Sequence, residues 1–133
     1  MSIVHRQIPP HAKRVFEGKL FDVWQWEQEM YDGSKKIFER LKRPNSVQAI
    51  AIVGDKIIVQ TEEQPDRPEP FRSIPGGRCD GDEDPLLAAK RELLEETGYV
   101  SADWELWRER QPVGKIEWTI YTYIARNCTR TSP

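Results

Sequence analysis

Apolar residues recur at helical intervals in one stretch of this chain and alternate with polar ones in several others. Leu86, Leu87, Ala88, Ala89, Leu93 and Leu94 are good helix formers at helical spacing. Asp84 suits an N-cap, Pro85 sits in the first turn where its missing N–H costs nothing, and Gly98 suits the left-handed residue that closes a helix. The pattern predicts a helix from Pro85 to Thr97. Two strand-like runs, Leu20 to Trp26 and Lys36 to Leu41, flank Asp32-Gly33, a hairpin signal. A two-residue turn there predicts Trp26 opposite Glu39 and Trp24 opposite Leu41, with both tryptophans on one face. Arg43-Pro44-Asn45-Ser46 interrupts the alternation and marks a boundary. Val47 to Val53 is a near-continuous apolar run, expected as a buried central strand, and Gly54-Asp55 turns it into a partner at Lys56–Gln60. Glu62 to Pro70 reads as an exposed loop, Trp104 to Trp107 as a strand, and Ile116 to Ala125 as one long alternating strand. The fold class is α/β. Residues 1–45 form an N-terminal arm and β-hairpin, and residues 46–133 the main domain.

Composition narrows the function classes. With 133 residues, 32% of them charged, and a net charge of −2, the chain has the size of one domain and no basic footprint for nonspecific nucleic-acid binding. No apolar run reaches membrane-spanning length, and the N-terminus lacks the apolar core of a signal peptide. Two cysteines, Cys79 and Cys128, make no disulfide framework, so a cytoplasmic location is expected. Cys79 reads as a chance residue of a polar loop. Residues 1–13 read as an extended arm, and His5 and His11 have no partner at ligand spacing.

The end of the predicted helix is where chemistry enters. Glu92, Glu95 and Glu96 crowd its last turns, where partial negative charge favours Lys, Arg or His. Glu92 and Glu96 are also a like-charge i,i+4 pair, a cost of about 0.2–0.5 kcal/mol. One reading is a solvated acidic face, partly compensated by Lys90 and Arg91. The other is a divalent-cation site, since hard oxygen ligands on one rigid face suit Mg²⁺, Mn²⁺ or Ca²⁺.

The spacing around those acids carries a resemblance. Gly77, five residues, Glu83, seven residues, Arg91-Glu92-Leu93, one residue, Glu95-Glu96, one residue, Gly98 and Tyr99 match the Nudix box without a gap. Tyr99 stands where a bulky aliphatic residue is usual, and Val100 follows it. The chain resembles the Nudix hydrolases, which implies an α/β/α sandwich around a mixed sheet. It also implies hydrolysis of a nucleoside diphosphate linked to another moiety, by water activated with Mg²⁺, Mn²⁺ substituting. Glu92 and Glu96 are then the principal metal ligands, and Glu95 a further ligand through water, or the base. The Gly76 carbonyl completes the shell, Arg91 braces the glutamates, and Glu83 supports the loop and a second metal. A diphosphate and three carboxylates repel each other, so such a site works only with cations between them.

The strand-rich N-terminal segment resembles that of the ADP-ribose and sugar-nucleotide pyrophosphatases. In those enzymes the segment helps form a homodimer and supplies an aromatic side chain that stacks on the base. The expected substrate contacts are Trp24, Trp26, Arg40 and Arg72; core packing or a dimer interface is the alternative for the tryptophans. Pro112 lies near the selectivity proline of that branch. Its members continue through a loop with a glutamate often assigned as general base, then a C-terminal helix. No acid follows Glu117 here, which leaves a piece of a longer protein, Glu95 as base, or no base at all. The expected partners are a nucleotide-containing small molecule and a second copy of the chain, not a membrane or a nucleic acid. Two other functions stay open: a nucleoside triphosphate pyrophosphohydrolase, and a Nudix-fold ligand-binding module without chemistry.

Overall fold

The computed structural model describes residues 7–131, so His5 lies outside the described residues. Strands β1 (Lys13–Glu17), β2 (Asp22–Glu29) and β3 (Lys35–Lys42) form an antiparallel meander. The chain then enters β4 (Ser46–Val53), β5 (Lys56–Ile57), a small hairpin of β6 (Gln60–Glu62) and β7 (Phe71–Ser73), and β8 (Gly76–Arg78). Helix α1 (Pro85–Thr97) follows, then β9 (Tyr99–Val100), β10 (Asp103–Arg110), β11 (Ile116–Glu117), β12 (Ile120–Arg126) and β13 (Thr129–Arg130). The main sheet runs β10-β12-β4-β5 with β8 also paired to β4; β12 and β4 are parallel and the other pairs antiparallel. This is a mixed sheet with a helix on one face, the α/β class expected. α1 is the only helix among the described residues, and it is not long and apolar enough to cross a membrane.

α1 has the expected bounds and caps. The Asp84 side chain accepts the Leu86 N–H at 2.8 Å, and Gly98 sits at φ 77° with its N–H on the Leu94 carbonyl. One face of β4 presents Val47, Ala49 and Ala51, in register with Tyr121, Tyr123 and Ala125 of β12. The helix lays Ala88, Ala89 and Leu93 on that row. The small side chains let helix and sheet approach closely, which fixes the helix position over β8. Cys79 is buried among Val47, Ala88, Ala89 and Tyr123, and burial raises its thiol pKa. It is a core residue and not the polar-loop residue expected, because the Cys79 N–H bonds the Asn45 carbonyl at 2.8 Å and turns the side chain inward.

Three strand expectations need correction. The hairpin pairs Trp24 with Arg40 and Trp26 with Phe38, one residue off the expected register. Its loop holds three residues, Tyr31 to Gly33. The Gly33 N–H bonds the Met30 carbonyl, the Met30 N–H bonds Ser34, and Gly33 adopts φ 84°. This is the longer hairpin loop with a left-handed glycine, not a two-residue turn. Second, the partner of β4 ends at Ile57, and Gln60 belongs to the separate β6–β7 hairpin. Third, the stretch from Ile116 to Ala125 is two strands in two sheets. β11 lies parallel to β3, and β12 parallel to β4. Between them the Thr119 N–H bonds Asn45 Oδ1 at 2.9 Å and Trp118 Nε1 bonds Ser46 Oγ at 3.0 Å. Side by side, the Arg43–Ser46 and Trp118–Thr119 segments carry the chain from one sheet to the other.

Candidate active site

The site is built where β8 runs beneath the C-terminal half of α1. Gly76 and Gly77 lie there because side chains would not fit. A Cβ on Gly77 would stand 2.7 Å from the Glu92 carboxylate, and one on Gly76 would collide with the Val47 carbonyl. Glu92 therefore rests directly over the backbone of the loop. Glu96 leans on the same strand, its Oε2 accepting the Gly76 N–H at 3.0 Å. Gly77→Ala is expected to keep the fold and push the Glu92 carboxylate aside. We expect a loss of activity of roughly 10²-fold, as when one preorganised group in a site is displaced, and steady-state kinetics beside a melting curve check it.

Arg91 is the hub. Its Nε and Nη2 grip the Glu83 carboxylate as a fork at 3.0 and 2.9 Å, and its Nη1 reaches Glu92 at 2.9 Å and Glu95 at 3.4 Å. Nη2 also meets the Arg78 carbonyl at 3.3 Å and Asp80 at 3.4 Å. One guanidinium thus serves four acids. Glu83 further accepts the Asp80 N–H at 3.0 Å, which ties the loop to the helix. The Arg91 hydrogen bonds, followed by that N–H, hold the Glu83 carboxyl at about 2. Glu96 goes the other way. Partial desolvation raises its pKa, and the Glu92 and Glu62 charges add to that, while the Gly76 N–H and the Gln60 amide oppose them.

Among the described residues, no three His, Cys, Asp or Glu side chains are gathered as they stand into a group that could hold a metal ion. Glu92 and Glu95 face Arg91, and Glu96 faces Gly76. The donor set nevertheless fits a hard divalent cation. It consists of carboxylates on one helix face, and the last helical turn holds no basic residue to neutralise them.

The other expected contacts lie elsewhere. Trp26 is 7% exposed, donates Nε1 to Gln28 at 2.9 Å and meets Phe38 edge-on at 5.9 Å, a packing position. Trp24 and Arg40 are cross-strand partners whose Nε1 and Nε are buried without a partner. The Arg14 guanidinium lies 6.0 Å from the Trp24 ring, and that of Arg40 lies 5.7 Å from the Trp26 ring. Among the described residues, no hydrogen bond, ion pair or ring contact joins Trp24, Trp26 or Arg40 to residues 76–99. Arg72 is exposed on β7, on the opposite strand face from Ser73.

The sequence reading missed Arg43. Its guanidinium stacks 4.2 Å from the Trp118 ring and 5.9 Å from that of Phe21, and it has no carboxylate partner among the described residues. Burial, then the nearby Arg78 charge, lowers its pKa. It lines a cavity of about 370 Å³ with Lys42, Asn45, Gly81, Asp82 and Tyr121, at the seam of the two sheets and beside the box loop. Glu117 also lines it and pairs with Lys42 at 3.5 Å, so Arg43 is the lining cation that no carboxylate in the cavity wall pairs with. The only local signal is an arginine before a proline, a pattern that reads as a boundary.

Known proteins place this geometry. The NUDIX domain profile matches residues 42–132. A methanol dehydrogenase activator from Bacillus methanolicus is 28% identical over 122 residues, 90% of this chain and 65% of that protein. An ADP-ribose pyrophosphatase from Bacillus subtilis (strain 168) is 31% identical over 90 residues, 67% of this chain and 49% of that protein. The chain therefore spans about half to two-thirds of the length of these curated relatives. A solved ADP compounds hydrolase superposes with a TM-score of 0.74 at 23% identity, over 99% of this chain and 74% of its own, a likeness of fold. The profile covers the whole loop and helix from Gly77 to Tyr99, with each charged and glycine position filled, and on that ground the chain belongs to the Nudix family.

Proposed function

We propose that the protein hydrolyses the diphosphate linkage of a nucleotide joined to another moiety, with ADP-ribose or a nucleoside-diphosphate sugar as the leading substrates. Water adds across the P–O–P bridge: its oxygen joins one phosphorus, the bridging oxygen leaves with the other, and two monophosphates result. The observation that carries this reading is the set of Glu83, Glu92 and Glu95 gathered on Arg91, with Glu96 beside them on Gly76. The ADP-ribose pyrophosphatase among the relatives supports the substrate class.

Glu92, Glu95 and Glu96, with the Gly76 carbonyl, would hold Mg²⁺ or Mn²⁺, and Glu83 stands by for a second ion. The chemistry a divalent cation supplies when bound is polarisation of phosphoryl oxygens and a lowered pKa for bound water. Arg91 sets the direction of Glu92 and Glu95. Glu95, 58% exposed against 14% for Glu92, has room to take a proton from the attacking water. Arg43 presents a positive charge to a substrate phosphate at the seam cavity. Trp24, Arg40 and Arg72 stay as proposed nucleotide contacts, while the buried Trp26 serves packing. Exposed Val15, Phe16 and Ile37 on the N-terminal strands support a second copy as partner.

The test is hydrolysis of ADP-ribose, nucleoside-diphosphate sugars, dinucleoside polyphosphates and nucleoside triphosphates with Mg²⁺ or Mn²⁺, with product analysis. Two monophosphates from ADP-ribose or a sugar nucleotide are expected. Pyrophosphate plus a nucleoside monophosphate would instead mark a triphosphatase, and silence with retained ligand binding a non-catalytic module. Arg43→Gln is expected to raise KM about tenfold with little change in kcat, the size of a lost charge-assisted contact.

A further inference from the structure

β10 is an outer strand of the main sheet: among the described residues it pairs with β12 alone, and its other edge is open. Its eight residues read Asp-Trp-Glu-Leu-Trp-Arg-Glu-Arg, so acids lead and arginines follow. The register on β12 slips by one between Leu106 and Arg108, which makes Trp107 an extra, bulged residue, 55% exposed. That residue resets the alternation. Asp103 and Glu105 pair with Arg126 and Ile124, Arg108 and Arg110 with Thr122 and Ile120, and these β12 positions share one face. The bulge thus collects Asp103, Glu105, Arg108 and Arg110 on a single face, where an unbroken strand would divide them between two. All four are exposed. Glu105 also meets Arg126 of β12 at 3.0 Å, while neither arginine of β10 is drawn into an ion pair among the described residues.

We propose that β10 pairs edge to edge with β10 of a second copy of this chain, antiparallel about a two-fold axis between Leu106 and Trp107, joining the two main sheets into one. This edge is distinct from the N-terminal strands that carry Val15, Phe16 and Ile37. The axis sets Asp103 against the copy's Arg110 and Glu105 against the copy's Arg108, and symmetry repeats both pairs. Every charge of the row then faces its opposite, and Leu106 meets the copy's Trp107 at the centre. Partners an odd number of residues apart share a face only because of the bulge, and the same extra residue in both strands keeps the count across the pair equal. Charges and bulges on an edge strand commonly keep other strands away. Here their order makes an exception of one partner, because acids followed by bases are complementary to their own antiparallel copy. An edge of eight residues buries little area, so the pair is weak, concentration-dependent and salt-sensitive.

Sedimentation velocity on the whole chain, over a concentration series at low and high salt, tests this. The unaltered protein is expected to associate reversibly, and less so in high salt. Arg108→Glu with Arg110→Glu makes the row wholly acidic, and Asp103→Arg with Glu105→Arg makes it wholly basic. Each double variant alone is expected to self-associate about tenfold more weakly, since four charge contacts turn repulsive at once. An equimolar mixture of the two restores the pairing, because each acidic row then meets a basic one. Recovery on mixing is a result that altered folding does not produce. If Asp103→Arg with Glu105→Arg fails to fold for want of the Arg126 pair, Asp103→Arg and Arg110→Asp, each alone, carry the same mixing comparison. The series repeated in a Phe16→Asp background separates the edge from pairing through the N-terminal strands. A chain that stays monomeric at millimolar concentration in low salt overturns the proposal. Association indifferent to the β10 charges, or no recovery on mixing, overturns it as well.

Discussion

Glu92→Gln combined with Glu96→Gln is expected to lower hydrolysis by roughly 10³-fold or more and, in metal-free protein, to raise the melting midpoint slightly. The first effect is the loss of two of the carboxylates that would hold the cation facing the substrate phosphates, where single preorganised electrostatic groups are worth about 10²–10³-fold. The second follows from their position. Glu92 and Glu96 are like charges one turn apart, at a helix end with no basic residue, and neutralising them removes a repulsion of about 0.2–0.5 kcal/mol. For a domain of this size that corresponds to about 1–2 °C. Glu96 contributes in the same sense: its pKa is raised on folding, so its ionised form opposes the fold at neutral pH. Activity and calorimetry on the same metal-free and metal-loaded samples check both halves. A double variant that stays fully active would remove the basis for the proposed chemistry.

Arg91→Met is expected to abolish activity and to lower the melting midpoint by several degrees, because Arg91 holds four acids together. Glu92, with its side chain 14% exposed, would lose its only counter-charge among the described residues. A pH signature separates this loss from simple repacking. In the folded chain the Glu83 carboxyl is held at about 2 against an ordinary value of 4.5. A depressed carboxyl stabilises the fold above its unfolded pKa, and that stabilisation fades as pH falls from 4.5 towards 2. Arg91→Met removes the larger part of the depression and leaves that of the Asp80 N–H, so the stability deficit should be largest near neutral pH and shrink on acidification through that window. Urea unfolding at a series of pH values from 7 down to about 2.5 measures it.

What the sequence made legible was local. The α1 bounds and both its caps follow from residues within a few positions of each other, as does β4. The box residues were legible because a covalent spacing of one to eight residues puts them on one loop and one helix face. The misses share a different cause. The hairpin register depends on whether Asp32 joins Gly33 in the left-handed region, as a two-residue turn requires; Gly33 does and Asp32 does not, which the Asp32-Gly33 pair permits but does not decide. The split at Trp118–Thr119 is made by Asn45 and Ser46, more than 70 positions away. Arg43 acquires its surroundings from Phe21, Trp118 and Arg78, none of them near it in the chain. Cys79 is turned inward by the Asn45 carbonyl. The spacing of the acids also said nothing of their direction, which Arg91 and Gly76 set.

The paired crossings at Asn45–Ser46 and Trp118–Thr119 carry a consequence for the order of assembly. The β2–β3 hairpin joins neighbours in the chain, and loops of that length close within microseconds. The seam joins residues 74 positions apart, and neither parallel pair can form until everything between them has been made and gathered in. On the ribosome, β4 must wait for β12 with one long edge open. The N-terminal meander is then free to form early, and the cavity beside Arg43, walled by both crossings, is among the last parts of the molecule to exist.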